Sequence, residues 1–486
     1  MPPDVQAPRA AETLGVKLYE QLAGHIAGLI KDGTLQAGER VPSVRDIVRE
    51  RRVSPATAMR AYQLLETQGL VETRPRSGYY VSEHRNRRAA EPRKARTAPR
   101  TTRVDVSELV FQILDAARDR DVVPFGSAFP GPSLFPWPRL ARYLGSAARH
   151  MDPWSTVESL PPGSADLRRQ IARRYLKFGT NVSAEEIVIT GGALEALNLS
   201  LQVLTRPGDA VAIEAPAFYG CLQAVEMLGL KAVEIPTNPR DGIDLGALAQ
   251  AIDRHGIRAC WLMTTFQNPL GATMPEAKKR DLVQLLETRG VPLIEDDVYA
   301  ELYFGDDRPR PAKAFESKGG VLHCGSFSKC LAPGYRLGWV AAGRFASDVQ
   351  KRKIATSIST SLPIQDGIAL YLRQDGYDAH LTKLRSTLVT QQAALLASLQ
   401  KHFPGGYRVT RPEGGYFVWV ELPRGVDALE LHRLALEQGI SLAPGPIFSP
   451  RREFRNCVRL NYGHPWTPEL DRAIAKLGQL VRSAAQ

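Results

Sequence analysis

Five short, almost wholly apolar runs constrain the fold more than any other feature of the chain: IVIT at 187–190, AVAI at 210–213, WLMT at 261–264, VPLI at 291–294 and LGWV at 337–340. A strand with one wet face alternates apolar and polar residues. Runs without alternation suit strands covered on both faces, the situation of a mostly parallel sheet flanked by helices. The stretches between the runs leave room for crossover helices, so the chain beyond residue 104 reads as an α/β domain. Ligands in such sheets gather at strand ends and in the loops that follow. A length of 486 residues exceeds one ordinary domain, and an apolar content of 43% is ample for a large core and excludes global disorder. No run approaches the length of a membrane span, and the polar, Pro- and Ala-rich first dozen residues lack a signal-peptide core, so a cytoplasmic location is expected. The five cysteines are scattered without a Cys-x-x-Cys pair, which argues against a disulfide framework or a metal site.

The net charge of +12 is unevenly placed: residues 1–103 hold 19 Lys and Arg against 11 Asp and Glu. A basic first fifth on a nearly neutral remainder suggests a polyanionic partner for that part. In residues 16–32, Leu18, Leu22, Ile26, Leu29 and Ile30 recur at helical spacing. A second helix is expected from Ser43. A third begins at Ser54-Pro55, a capping hydroxyl followed by proline at the first helical position. Ala58, Tyr62 and Leu65 mark its buried face. Residues 70–74 and 79–81 then read as two strands around the turn PRSG at 75–78. Three helices and a β-ribbon make a winged helix, whose third helix enters the major groove of double-stranded DNA. The stretch of residues 16–82 closely resembles the GntR family of regulators. That resemblance implies DNA contacts from Arg45, from Ser54 and Thr57 at the start of helix three, and from the wing, where Arg76 stands at the tip; Arg60, on an open face of helix three, is a further candidate. Pro55 stands where many members carry arginine, so one contact of the family is missing.

Residues 1–15 are expected to be disordered. Residues 83–104 are expected to be a flexible basic linker: RNRRAAEPRKARTAPRTTR at 85–103 holds eight basic residues, one acid and two prolines without apolar periodicity. Its charge suits phosphate contacts that carry no sequence information.

In residues 105–486 the loops hold a consistent chemical set. Thr190-Gly191-Gly192-Ala193 leaves a strand and opens a helix, a place where bare N–H groups hold an anion. Phe218 follows the second run and Asn268 the third. Asp296 and Tyr299 follow the fourth. Ser326, Ser328, Lys329 and Arg336 lie in one stretch, and Arg459 stands near the C-terminus. Each alone is unremarkable; a lysine in a polar loop is usually a surface charge. Together they suit an aromatic aldehyde phosphate with a basic ring nitrogen: a lysine for a Schiff base, a carboxylate for the ring nitrogen, and hydroxyls, arginine and helix-terminal N–H groups for the phosphate.

Residues 123–481 resemble the fold-type I aminotransferases, and a GntR-type head on such a body resembles the MocR subfamily of regulators. The resemblance implies a mostly parallel central sheet with a smaller C-terminal α+β subdomain, and pyridoxal 5'-phosphate as cofactor. It makes Lys329 the Schiff-base lysine and Asp296 the partner of the ring nitrogen, chosen over the neighbouring Asp297 by the Asp-x-x-Tyr spacing. Asn268 and Tyr299 would contact the ring oxygen and Phe218 would stack on the ring. Gly192, Ala193, Ser326, Ser328 and Arg336 would hold the phosphate, and Arg459 would clamp the carboxylate of an amino-acid or amine effector. The family often carries a tyrosine about five residues before a Pro-Gly turn, reaching the partner subunit's phosphate. Before Pro162-Gly163 the matching residues are Val157-Glu158-Ser159.

The expectation is therefore a homodimeric, pyridoxal phosphate-dependent transcription regulator that senses the cofactor or an amino compound. The alternative is a working aminotransferase with secondary DNA binding.

Overall fold

The computed structural model of the protein describes residues 18–51, 53–67, 70–74, 77–82, 89–116, 121–155, 160–374 and 376–485, in two compact units divided between Arg88 and Ala89. Residues 1–15, 83–88, 157–159 and Arg76, all named above, lie outside the described residues.

The first unit is built from α1 (Leu18–Lys31), α2 (Val44–Arg51), α3 (Pro55–Thr67), β1 (Val71–Arg74) and β2 (Gly78–Val81). Ser43 caps α2 reciprocally. Its Oγ accepts from the Asp46 N–H at 3.2 Å, and Asp46 Oδ2 accepts from the Ser43 N–H at 3.2 Å and from its hydroxyl at 2.6 Å. Ser54 caps α3 through the Thr57 N–H at 3.1 Å. The periodic apolar residues converge on one core: Leu22, Ile26, Ile30, Ala58, Ala61, Tyr62 and Leu65 are all buried. Tyr62 stacks on Tyr79 of β2 with ring centroids 4.7 Å apart, which ties α3 to the wing, and its hydroxyl donates to the Pro42 carbonyl. β1 and β2 pair antiparallel, Val71 opposite Val81, and an isolated bridge between Arg40 and Tyr80 extends the ribbon.

The second unit contains a sheet in the order β3-β6-β5-β8-β9-β10-β11-β4. These strands are β3 (Thr101–Arg103), β4 (Ile187–Thr190), β5 (Ala210–Ala215), β6 (Lys231–Asn238), β8 (Ile257–Leu262), β9 (Leu293–Asp296), β10 (Val321–Ser326) and β11 (Gly338–Ala341); β7 (Gly242–Ile243) folds back on β6. The five central strands from β6 to β10 run parallel, whereas β11 lies antiparallel to β10 and to β4. Alternation along each strand divides the core. Val211, Ile213, Trp261 and Ile294 face one layer, with the helices Ala193–Leu204 and Tyr219–Met227. Ala210, Ala212, Cys260, Leu262 and Leu293 face the other, with the helices Leu245–His255 and Glu276–Arg289. A smaller four-stranded antiparallel sheet follows, in the order β12-β13-β15-β14: β12 (Arg408–Val409), β13 (Phe417–Glu421), β14 (Ala443–Pro444) and β15 (Cys457–Asn461). It is the expected α+β subdomain.

The described part of the expected linker is not a free tether. Residues 89–103 lie along the second unit as a strap: β3 pairs antiparallel with the outer edge of β6, Thr101 opposite Val233. The Ala90 carbonyl accepts from Val409 N at 2.9 Å, the Ala95 N–H reaches Thr237 O at 3.4 Å, and Lys94 pairs with Asp244. An extended segment that satisfies its backbone on a sheet edge needs no apolar periodicity, which is why composition alone misjudged it.

Candidate functional site

The expected site residues of the second unit sit at the carboxyl ends of the parallel strands and on β15. At the end of β4, Gly192 has φ +99° and opens the helix that starts at Ala193. A Cβ added to Gly192 would stand 2.8 Å from a terminal nitrogen of Arg336, so the guanidinium lies directly against the glycine turn. Gly338 is equally confined, since a Cβ there would meet Gly192 C at 2.6 Å and Ala193 N at 2.7 Å. Arg336 itself takes a left-handed φ of +50° and donates to Ser328 Oγ at 3.4 Å. Gly192, Ala193, Ser328 and Arg336 thus form one cradle of bare N–H groups, hydroxyl and cation. Ser326 is used differently from the expectation. Its hydroxyl donates to the Leu337 carbonyl at 3.1 Å and accepts the Ser328 N–H at 3.0 Å, so it braces the turn that carries Ser328 and Lys329.

The turn at Gly191 rests on a buried ion pair that the sequence reading did not find. Lys353, 2% exposed, donates to both carboxylate oxygens of Glu195 at 3.0 and 3.1 Å, and Glu195 in turn accepts the Gly191 N–H. Nothing in the spacing of residues 191, 195 and 353 announces that contact.

Asp296 is the last residue of β9, and successive side chains of a strand point to opposite faces. Asp296 shares the face of Ile294 and Trp261. Asp297 turns away into a second buried cluster, where it meets His323 Nε2 at 2.9 Å; His323 Nδ1 in turn lies 2.6 Å from the Tyr175 hydroxyl. Asp296 faces Lys329 and favours its charged form. Burial, reinforced by the charge of Asp297, pushes the Asp296 carboxyl up to about 7. Burial also pushes the Lys329 amine down to about 7, with Arg459 and Arg336 adding to the effect and Asp296 opposing it. The half-buried Lys329 donates to the Ala128 carbonyl at 2.8 Å, and its Nζ sits 3.9 Å from the centre of the Phe129 ring. Phe218, half-buried at the start of its helix, lays its ring over Gly220.

Arg459 is wholly buried on β15. One terminal nitrogen donates to Asn268 Oδ1 at 3.1 Å. The other donates to the carbonyls of Gly126 and Ser127 at 2.8 and 3.2 Å, and the guanidinium carbon lies 4.0 Å from the Phe417 ring centre. Tyr299 meets Tyr416 edge-on at 5.4 Å, and burial raises both hydroxyl pKa values. Tyr416, which donates to Ala128 O at 3.0 Å, and Asn461, which donates to Ser127 O at 3.0 Å and Phe129 O at 2.8 Å, fix the segment 126–129 over Lys329. These two were missed, although the GGYF pattern at 414–417 just ahead of a strand offered a cue.

Three buried polar atoms of this set meet no partner in good hydrogen-bond geometry among the described residues, Asp296 Oδ1, Asn268 Nδ2 and Arg459 Nε, although Trp261 stands beside Asp296 and Tyr219 beside Arg459. Each such orphan costs about 1–3 kcal/mol, so an unmatched acceptor and two unmatched donors around one lysine mark a place built for a ligand. An acceptor for a protonated ring nitrogen, a donor for a ring oxygen, an anion cradle and a low-pKa lysine fit pyridoxal phosphate.

In the first unit Arg45 and Arg60 are exposed, on α2 and α3. Arg60 leans toward Tyr19, 6.0 Å from its ring centre. Ser54 and Thr57 are hydrogen-bonded to each other at 2.8 Å, with Thr57 half-buried, so their hydroxyls serve the cap at the head of α3.

Residues 155–477 match the family described as "Aminotransferase class I and II", and residues 18–81 match "Bacterial regulatory proteins, gntR family". The chain is 47% identical to the uncharacterized HTH-type transcriptional regulator YdcR of Escherichia coli, over 96% of this chain and 99% of that one. It is 36% identical to a second such regulator of the same organism, YjiR, again over 96% and 99%. Among solved structures, the α-aminoadipate aminotransferase LysN of Thermus thermophilus, complexed with N-(5'-phosphopyridoxyl)-L-leucine, aligns with a TM-score of 0.70 at 30% identity, covering 78% of this chain and 99% of its own. The kynurenine aminotransferase of Pyrococcus horikoshii aligns with a TM-score of 0.71 at 28% identity, covering 79% and 96%.

Proposed function

Because the chain belongs to the GntR-type transcriptional regulators that carry a class I and II aminotransferase domain, the MocR subfamily, we propose that its second unit senses an amino compound at the Lys329 site and that the winged helix reads out the result on DNA. The chain is a pyridoxal phosphate-dependent, DNA-binding regulator. In the proposed arrangement Gly192, Ala193, Ser328 and Arg336 hold the phosphate, Asp296 faces the ring nitrogen, and Asn268 and Tyr299 face the ring oxygen. Phe218 covers the ring. Bound there, the cofactor supplies a carbonyl carbon open to primary amines and a ring that withdraws electrons. The chain's own groups do the rest. The Lys329 amine, pushed down to about 7, can both accept and release a proton at Nζ near neutral pH. Arg459 offers its Nε–H, beside Tyr219, to an incoming carboxylate, while Asn268 and Phe417 keep the guanidinium oriented. The segment 126–129 covers the amine and limits water at it.

The observation that carries this reading is the trio of orphaned atoms on Asp296, Asn268 and Arg459 around one lysine. The proposed molecule works in the cytoplasm as a homodimer on double-stranded DNA, with Arg45 and Arg60 facing the duplex. An amino compound acts only if it binds one arrangement of the protein better than another. The test is the visible spectrum of the purified protein, before and after borohydride, beside Lys329→Ala. A yellow wild type that reduction fixes to Lys329, with the band lost in the variant, supports the reading. A protein that stays colourless with added pyridoxal phosphate overturns it.

A second reading, turnover as an aminotransferase, is favoured by the proton-ready state of Lys329. Sustained release of a keto acid from an amino acid would establish it; a single stoichiometric turnover would leave sensing alone.

A further inference from the structure

Beneath the strap of residues 89–103 lies a cavity of about 630 Å³, within the range of small-molecule sites. Its floor is apolar: Pro216, Leu270, Leu422 and Trp419, all buried, and the half-buried Phe454. Its rim is cationic, carrying Arg93 and Arg96 from the strap, Arg408 from β12 and Arg424 from the loop after β13. None of these four arginines has a hydrogen-bond or ion-pair partner among the described residues, whereas the strap's Lys94 is paired with Asp244. The one carboxylate in the lining among the described residues, Glu421, stands opposite Arg408 in the β12–β13 register without closing a salt bridge. Four guanidinium groups without partners among the described residues, over an apolar floor, ask for an anion with a flat apolar body.

The cavity is separate from the Lys329 site but shares walls with it. Pro216 lies two residues before Phe218, Leu270 two residues after Asn268, and Trp419 is the register partner of Arg459. Trp419 and Arg459 also meet the same ring, Phe448, with centroids at 5.4 Å and the guanidinium carbon at 5.4 Å.

We infer that this cavity is a second ligand site, taking an aromatic carboxylate or its sulfonate equivalent, and that its occupant holds the strap to the body. The anion bridges rim arginines from the strap (Arg93, Arg96) and from the body (Arg408, Arg424), and the ring lies on the apolar floor at the half-buried Phe454. The site stands whether or not Lys329 carries a cofactor.

The probe is 8-anilinonaphthalene-1-sulfonate, titrated by fluorescence into the full chain and displaced with indole-3-acetate. The expected result is one displaceable probe per chain in wild type and in Lys329→Ala alike. The pairs Arg408→Glu/Arg424→Glu and Arg93→Glu/Arg96→Glu should each weaken binding about tenfold or more, the loss expected when charge-assisted contacts are reversed. Two separate pairs guard against a folding defect in either. The probe should also slow tryptic cleavage after Arg93, Lys94 and Arg96, which are exposed on the strap. Binding that does not saturate, that both reversals leave unchanged, or that vanishes in Lys329→Ala would overturn the assignment.

Discussion

The ionisation of Lys329 can be measured without any cofactor. An ordinary lysine has a pKa of 10.5, and here burial, with Arg459 and Arg336 nearby, brings the amine down to about 7. At pH 7 about half of the Lys329 amines are therefore neutral, against about one in 3,000 for a lysine at its ordinary value. Only the neutral amine is nucleophilic. In cofactor-free protein, trace labelling with acetic anhydride, read by mass spectrometry of the Lys329 peptide, should rise through a midpoint near pH 7 and then level off. Arg459→Gln removes one of the two depressing cations, so its midpoint should move upward. The sign for stability follows from proton counting. Between about 7 and 10.5 the unfolded chain binds the extra proton, so this amine makes the cofactor-free protein more stable as pH rises through that window. Asp296, raised from 3.8 to about 7, acts oppositely between those values: its contribution is lost as pH rises toward 7. Labelling that still climbs tenfold per pH unit between 8 and 9.5 would refute the argument, because it would mean that neither burial nor the two arginines govern the amine.

Further expectations follow from contacts away from the lysine. Gly338→Ala drives a methyl into the Gly192 and Ala193 backbone, so pyridoxal phosphate retention on dialysis should be lost and the melting temperature should fall, by an overpacking cost of about 1–3 kcal/mol or more. Lys353→Met leaves Glu195 partly buried without its cation, a loss of about 3–5 kcal/mol if fully felt. Denaturant unfolding measures that cost, and a companion Glu195→Gln should restore part of it. Arg45→Ala should weaken binding to random-sequence duplex and lower the slope of log affinity against log salt by about one, with thermal stability unchanged. A salt slope equal to that of wild type would remove Arg45 from the interface.

How far the sequence revealed this depended on the kind of signal. Ser43 and Ser54-Pro55 located α2 and α3 because a cap is a local hydrogen bond, and both caps form. The apolar runs at 187–190 and 210–213 fall on β4 and β5. The run at 261–264 was placed late, since β8 begins at Ile257, where Arg258 interrupts the apolar texture. β6 and β10 escaped notice because they carry Lys231 and Glu234, and His323, whose polar groups find partners only through tertiary contacts: Glu234 with Arg451 and Ser449, His323 with Asp297 and Tyr175. The same limit hid Lys353 behind Gly191 and Asn461 behind the segment 126–129, since no local pattern links residues so far apart in sequence. Strand alternation places Asp296 and Asp297 on opposite faces, which the spacing Asp-x-x-Tyr alone does not say.

The strap also decides where the chain can be cut. β6 is the outermost parallel strand, and its free side is closed by β3 at Lys231–Val233 and by β7 at Thr237 and Asn238. A body released by proteolysis after Arg88 keeps that rim sealed. One released after Arg103 bares the side of β6 that β3 covers at Lys231 to Val233, a template for edge-to-edge joining of copies. The basic segment that looks like spare length between two working parts is thereby also the cover of a sheet edge.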